Sequence, residues 1–363
     1  MKILITGGHY TPALAVIEEL KGHEIIFVGR KYSLESELTE SPEYKEVRAK
    51  GIKFISLHTG KLNRFISLGL IINIFRIFKG LKQSKEIIET EKPDLVLSFG
   101  SYLAVPIAYN AWLNKIPVFT HEQTLRPGLS NRIISLISKK VFISFDKTIR
   151  YFPRNKVILT GNPIRTVIHN SKSKKLHIKS KRKTIFITGG SLGSHSINEV
   201  TYKILKKLLL KYYVIHQTGS VKEFNDYDRL ISFKRRLNRN LKKNYHLVQH
   251  FDESLMGEAY SKSDILVSRA GANTVFEIIS LNKPVIFIPL PWSANKEQQK
   301  QAEFLKEVGV CEVFYQNKNP LKLYKLIEKV INDIPTYKQN FKKLNYLYKK
   351  NAAQKIASEI LKT

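Results

Sequence analysis

Short runs of apolar, mostly β-branched residues punctuate this chain, and each gives way to a glycine turn or polar cluster and then to apolar residues at helical spacing. The runs fall at 3–6, 24–28, 95–99, 118–120, 184–188, 213–216, 265–268 and 285–289. Strands covered on both faces read as continuous apolar runs, and their alternation with helical patterns marks βα units around a parallel sheet. Helical spacing returns in the tail, at Phe341, Leu344, Leu347, Ile356, Ile360 and Leu361, which predicts a helical end.

An internal repeat sets the organisation. Ile5-Thr6-Gly7-Gly8 returns as Ile187-Thr188-Gly189-Gly190, and both copies close a strand and open a helical pattern. The expected fold is therefore α/β, with two Rossmann-like domains. Gly161-Asn162-Pro163 breaks any helix, and the Lys/Ser-rich stretch after it, up to 183, reads as exposed connector. The pattern predicts a first domain at 1–162, a second at 163–340 and a helical tail at 341–363 that packs back toward the first. A length of 363 residues suits two domains.

Composition narrows the class. Lys and Arg number 61 against 30 Asp and Glu, a net charge of +31, yet 43% of residues are hydrophobic, so a disordered polycation is excluded. The one cysteine, Cys311, rules out a disulfide scaffold and any Cys-x-x-Cys metal site, and suits a reducing compartment. The first apolar stretch is too short for a secretory signal. The most apolar segment, 65–78, is interrupted by Asn73 and Arg76 and falls short of the roughly 18 residues of a membrane span. The charge leaves nucleic acid, an anionic membrane surface or a phosphorylated substrate as partners, beside a plain lysine-rich bias.

Five motifs carry candidate chemistry. After the first strand, Gly7 and Gly8 bare backbone amides that suit a phosphate, and His9 stands where an imidazole would face a ligand. A helix-capping or core histidine is the bland alternative. Gly189-Gly190-Ser191-Leu192-Gly193 repeats the turn with a hydroxyl at Ser191. Ser268-Arg269-Ala270-Gly271-Ala272-Asn273-Thr274-Val275-Phe276-Glu277 opens another helix, and a carboxylate at Glu277 can accept two ribose hydroxyls where a surface Glu would do nothing. Gln298 and Gln299 suit sugar hydroxyls, against a plain polar helix face. His121-Glu122-Gln123-Thr124 ends the strand at 118–120, where open α/β sheets bind ligands. Asp226-Tyr227-Asp228 invites a metal reading, but it sits in a charged segment and reads as surface, so no metal site is expected.

Together these motifs, with Gly161-Asn162-Pro163-Ile164-Arg165, resemble the MurG family of membrane-associated UDP-GlcNAc transferases of peptidoglycan synthesis, within the two-domain GT-B glycosyltransferases. The resemblance spans residue 1 to about residue 310. It implies two parallel-sheet domains with a cleft between them, and transfer of GlcNAc from UDP-GlcNAc to the 4-hydroxyl of lipid I with inversion, giving lipid II. No cofactor is obligatory in that reading. The substrate contacts it implies around the donor are Thr6, Gly7, Gly8, Arg165, Gly190, Ser191, Gly193, Phe251, Arg269, Ala272, Asn273, Thr274, Val275, Phe276, Glu277, Gln298 and Gln299. Phe251 takes the uracil position only with a one-residue shift. The acceptor side takes His121, Gln123 and Thr124, and the catalytic base is His9, with Glu122 behind it. Two departures stand out: the first glycine loop is about three residues shorter than the family's, and Thr124 replaces the family's Asn.

The segment 63–85 pairs apolar residues at helical spacing, among them Ile71, Phe75 and Phe78, with cations including Arg76 and Lys79. It predicts a peripheral contact with the anionic cytoplasmic membrane face, where a lipid-linked acceptor resides; a core-facing helix is the plain alternative. The competing functions are another GT-B sugar-nucleotide enzyme, either a glycolipid glycosyltransferase or a UDP-GlcNAc 2-epimerase, and a basic nucleic-acid-binding protein. The last lacks aromatics interleaved with its cations, so nucleic acid is not the expected partner.

Overall fold

The computed structural model describes every residue except 33–39, 61–67, 170–175, 177, 179, 191, 220–222 and 294–295, and gives 68–75 and 253–254 as backbone only. Expectations placed on Ser191, and on the side chains of Ile71 and Phe75, therefore lie outside the described residues. The chain forms two compact units, Met1–Arg165 with Lys349–Thr363, and Thr166–Tyr348. The dividing line falls after Arg165 rather than after 162, and the end of the chain returns to the first unit.

The first unit is built on seven strands: β1 (Lys2–Thr6), β2 (Glu24–Gly29), β3 (Lys53–Ser56), β4 (Leu95–Ser98), β5 (Val118–Glu122), β6 (Lys140–Ile143) and β7 (Val157–Leu159). They form one parallel sheet in the order β3-β2-β1-β4-β5-β6-β7. Ile3, Ile5, Phe27 and Leu97 face one layer of helices, while Leu4, Ile26, Val28 and Val96 face the other. Both faces are covered, which is why these strands read as unbroken apolar runs. The helix Ala352–Ile360 belongs to this core: Ala353, Ile356, Ala357 and Ile360 pack with Leu14 and Phe27.

The second unit holds β8 (Thr184–Thr188), β9 (Tyr213–Gln217), β10 (Tyr245–Val248), β11 (Ile265–Ser268), β12 (Val285–Phe287) and β13 (Cys311–Val313), also parallel, in the order β10-β9-β8-β11-β12-β13. In each sheet the order reverses direction beside the strand that carries the glycine turn, between β1 and β4 and between β8 and β11. Open parallel sheets bind ligands outside the carboxyl ends of the strands at such a switch point. The same rung ends in hydroxyls in both: Thr6, Ser98 and Thr120 are paired in the first sheet, Thr188 and Ser268 in the second.

Candidate functional site

In the first unit, Gly7 leaves β1 with φ at +141°, and a Cβ there would stand 2.7 Å from the carbonyl carbon of Phe99. Only glycine lets the β1 turn close against the β4 turn. His9 follows at the start of helix Tyr10–Ile17, where its side chain makes no capping hydrogen bond, so the capping alternative fails. The ring keeps exposed surface, yet protein crowds it closely enough that loss of water lowers its pKa to about 4. It is therefore neutral at pH 7.

The neighbouring polar cluster is more buried than its sequence suggests. His121 is 2% exposed, with Nε2 3.2 Å from the Ser144 hydroxyl and 3.4 Å from the Gly161 carbonyl oxygen. Burial, first, lowers its pKa to about 3. Glu122 accepts from the Thr124 N–H (2.8 Å) and hydroxyl (2.7 Å) on one oxygen and from Asn131 Nδ2 (2.9 Å) on the other. Burial raises its pKa while these donors hold it down. With both oxygens engaged, Glu122 braces the segment 122–131, which disfavours its standing as a second base. Thr124 turns inward to that carboxylate. By contrast Thr6 Oγ1 and Gln123 Oε1 are buried acceptors with no partner among the described residues.

Thr6, Gly7, Gly8 and Arg165, expected as donor contacts, belong to the first unit, whereas the other expected donor residues belong to the second. Arg165 lies 3.5 Å from Glu46 as an ion pair within that unit.

In the second unit, Gly190 and Gly193 both adopt φ of +89°, and a Cβ on Gly193 would collide with the carbonyl oxygen of Thr218. The turn leads into helix His195–Lys211. Arg269 reaches across from the end of β11. Its Nη2 donates to the hydroxyls of Ser194 and Ser196, both at 2.6 Å, and Nη1 donates to the Ile288 carbonyl (2.9 Å) and to Gln316 Oε1 (3.2 Å). Burial lowers its pKa to about 10, which leaves it charged at pH 7. Every acceptor named is neutral, and none of the ion pairs among the described residues involves Arg269. A half-buried cation at a helix N-terminus, without a carboxylate beside it, suits an anion.

Helix Ala272–Leu281 sorts its residues by the 3.6-residue period. Ala272, Val275 and Phe276 are buried in the core, which leaves only their backbone atoms to meet a ligand. Asn273 and Thr274 keep partial exposure, while Glu277 is buried. Asn273 and Glu277 are four apart on one face; Asn273 Oδ1 has no hydrogen-bond partner among the described residues, and Glu277 Oε2 accepts from the Tyr260 hydroxyl at 2.8 Å. Gln298 Oε1 accepts the Leu290 N–H (3.0 Å), and Gln299 Nε2 donates to Glu303 (3.2 Å). Phe251 is 3% exposed, its ring edge-on to Phe186 and parallel to His246, while its N–H donates to Gln217 Oε1 (3.0 Å). A buried ring in that packing has no face left for a base.

Asp226 is buried, against the surface reading. It accepts from His195 Nδ1 (2.9 Å), from Asn198 Nδ2 (2.8 Å) and from Arg229 (3.4 Å). His195, Glu199 and Asp226 are close enough to share a metal ion, but Arg229 pairs with both carboxylates and already supplies the positive charge. Sequence reasoning missed Gln217, whose Nε2 donates to Thr188 Oγ1 (3.1 Å) and the Gly190 carbonyl (3.0 Å), and Gln316. It also missed the β4 turn, where Gly100 and Ser101 have φ of +75° and +73°. A glycine just after an apolar run was the available signal.

Residues 6–143 match the glycosyltransferase family 28 N-terminal domain, and residues 184–360 match the glycosyltransferase family 28 C-terminal domain. A UDP-N-acetylglucosamine–N-acetylmuramyl-(pentapeptide) pyrophosphoryl-undecaprenol N-acetylglucosamine transferase of Clostridium botulinum is 34% identical over 360 residues, covering 96% of this chain and 91% of that protein. Among solved structures, Acinetobacter baumannii MurG superposes with a TM-score of 0.70 at 23% identity, covering 100% of this chain and 99% of that one. The UDP-GlcNAc 2-epimerase of Neisseria meningitidis, bound to UDP-GlcNAc, superposes at 0.67 and 20% identity over 100% of both chains. At those identities the structural likeness speaks for the fold.

Proposed function

Because the chain belongs to the MurG family within glycosyltransferase family 28, we propose that it transfers GlcNAc from UDP-GlcNAc to the 4-hydroxyl of lipid I, undecaprenyl-diphospho-muramyl-pentapeptide, with inversion, to give lipid II. The observation that supports this reading is the half-buried Arg269 guanidinium at the N-terminus of helix His195–Lys211, surrounded by neutral acceptors. A nucleotide diphosphate is the anion it fits.

As the bond from the anomeric carbon to UDP breaks, negative charge grows on the diphosphate. Arg269 and the helix N–H groups stabilise that charge most when it is largest, which is the condition for lowering the barrier. Asn273 and Glu277 take the ribose hydroxyls, and Gln298 with Gln299 the GlcNAc hydroxyls. In the first unit the turn at Gly7 and Gly8 receives the acceptor diphosphate, and His9 removes the proton of the attacking hydroxyl. A pKa near 4 keeps His9 proton-free, the form a base needs. A diphosphate anion bound beside it raises its basicity at the moment of use.

The acceptor's lipid stays in the bilayer, so the first unit docks peripherally on the cytoplasmic face of an anionic membrane. Three helices, the second packed against the first and the third, support this: Leu68–Glu91 exposes Phe78 with Arg76 and Lys79, Ala104–Leu113 exposes Tyr109, Trp112 and Leu113, and Leu129–Ile137 exposes Leu129, Ile133 and Leu136 beside Arg132. Apolar side chains ringed by cations suit an anionic leaflet. No helix among the described residues is long and apolar enough to cross a membrane.

Incubation with UDP-GlcNAc and lipid I should release UDP and form lipid II in equal amounts, and UDP-GlcNAc alone should give neither UDP nor the 2-epimer. Epimer formed without acceptor would move the chain to the 2-epimerases.

A further inference from the structure

The turn that leads to the glutamine pair carries the most exposed aromatic side chain among the described residues, Trp292, at 73%. Leu290, Pro291, Trp292 and Ser293 make a β-turn closed by the Ser293 N–H to the Leu290 carbonyl at 3.3 Å. Proline in the second position pre-sets the turn's backbone. The following helix, Glu297–Val308, braces it twice: Leu290 N–H donates to Gln298 Oε1 (3.0 Å), and Gln298 N–H donates to Ser293 Oγ (3.3 Å). Just before that helix Lys296 holds φ of +54°, a left-handed conformation that a non-glycine side chain adopts at a cost. The turn follows β12 at the carboxyl edge of the sheet, the ligand-binding edge.

An indole is thus held in water on a stiff turn, with a side-chain amide at the turn's base. Large aromatic surfaces are normally covered, and tryptophan is favoured where a partner covers it. An amide that exchanges hydrogen bonds with hydroxyls beside a flat ring that packs on C–H bonds is a set suited to a sugar. GlcNAc fits it, because ring carbons C2 to C5 all carry equatorial substituents and so leave axial C–H bonds on both faces. We propose that Trp292 packs on the GlcNAc ring of the donor and is a specificity-determining residue for the sugar, as distinct from the nucleotide. This rests on the donor reading of the second unit.

Trp112 and Trp292 are the two tryptophans of the chain, so Trp112→Phe leaves a single emitter on the turn. In that variant UDP-GlcNAc, with binding followed in parallel by calorimetry, should quench and shift the emission, whereas saturating UDP should leave it at its free value. Trp292→Ala should weaken UDP-GlcNAc about three- to tenfold and UDP by less than about twofold, with Trp292→Phe in between. If calorimetry shows UDP-GlcNAc binding while emission stays unchanged, or if Trp292→Ala weakens both ligands equally, the proposal is overturned and the donor reading stands. Absence of binding by either nucleotide overturns both. An emission shift with anionic vesicles but none with UDP-GlcNAc assigns the indole to a membrane and overturns the proposal as well.

Discussion

At the carboxyl edge of the first sheet the hydroxyl rung of Thr6, Ser98 and Thr120 is flanked by His9, His121 and Glu122; in the second sheet, the rung of Thr188 and Ser268 is flanked by Arg269, Gln217 and Glu277. The switch point and the glycine turn are alike in both. The first edge holds groups whose pKa values desolvation has moved, two imidazoles down and a carboxylate up. The second holds a cation that stays charged across the physiological range. On the proposed reading one fold serves two chemistries: a place where a proton moves, and a place where a fixed charge meets an anion.

The sharpest break between the edges comes from removing one group from the first. His9→Ala should lower turnover on the order of 10²–10⁴-fold, with UDP-GlcNAc affinity by calorimetry unchanged. Comparable turnover in the variant would end the proton-moving role of the first edge.

Acid should treat the two units differently, because burial raises the Glu43 carboxyl of the first unit to about 8 and so opposes the histidine effect there. His121 and His216, one buried in each unit, both have pKa values lowered by burial to about 3. An unfolded histidine takes up its proton near pH 6.5 and the folded one does not, so stability is full above that value and falls as pH drops below it. At pH 5 the loss is about 2 kcal/mol for each histidine. Melting curves from pH 7.5 to 5 should show the second unit weakening through His216 while Glu43 offsets the loss in the first, and a second-unit transition independent of pH would mean that the His216 ring is solvated.

Next in size is the second edge. Glu277→Ala should weaken UDP and UDP-GlcNAc alike by about 1–3 kcal/mol, as loss of a shielded hydrogen-bond acceptor does. Tyr260→Phe, which removes only the hydroxyl that donates to Glu277 at 2.8 Å, should weaken them less. Unchanged affinity in a folded Glu277→Ala protein removes that carboxylate from the nucleotide site.

The smallest effect separates the units by location. Arg132→Gln or Lys79→Gln should each reduce binding to anionic vesicles by about 1 kcal/mol at low salt and by little at high salt, since screening acts on exposed charge. Phe78→Ser should reduce binding at both. Vesicle binding indifferent to all three would leave these helices without a membrane role.

Sequence alone marks the interior strands well, because an element covered on both faces must be apolar throughout, as β1, β8 and β11 are. It does not mark β3, β6, β7, β10 or β13. These have three or four residues, several include Lys, His or Glu, and their extended state comes from pairing with a neighbour already in place. Glycine turns are legible for a related reason: at Gly7 and Gly193 a Cβ meets backbone, so the residue type is forced. Gln217 and Gln316 are illegible because a lone amide acquires meaning only when the fold brings Thr188, Gly190 and Arg269 to it. The burial of Glu122 and Phe251 is hidden for the same reason, since polarity or aromaticity at a strand end does not reveal which way the side chain turns.

The return of helix Ala352–Ile360 to the first unit ties the order of synthesis to the order of folding. The ribosome completes Met1–Arg165 early, but the patch that Ile356 and Ile360 cover stays bare until Thr166–Tyr348 has been made. At roughly 5–20 residues per second that interval lasts on the order of ten to forty seconds. Through it the nascent first half presents an uncovered apolar strip near Leu14 and Phe27, a surface for chaperones to hold until the last helix arrives.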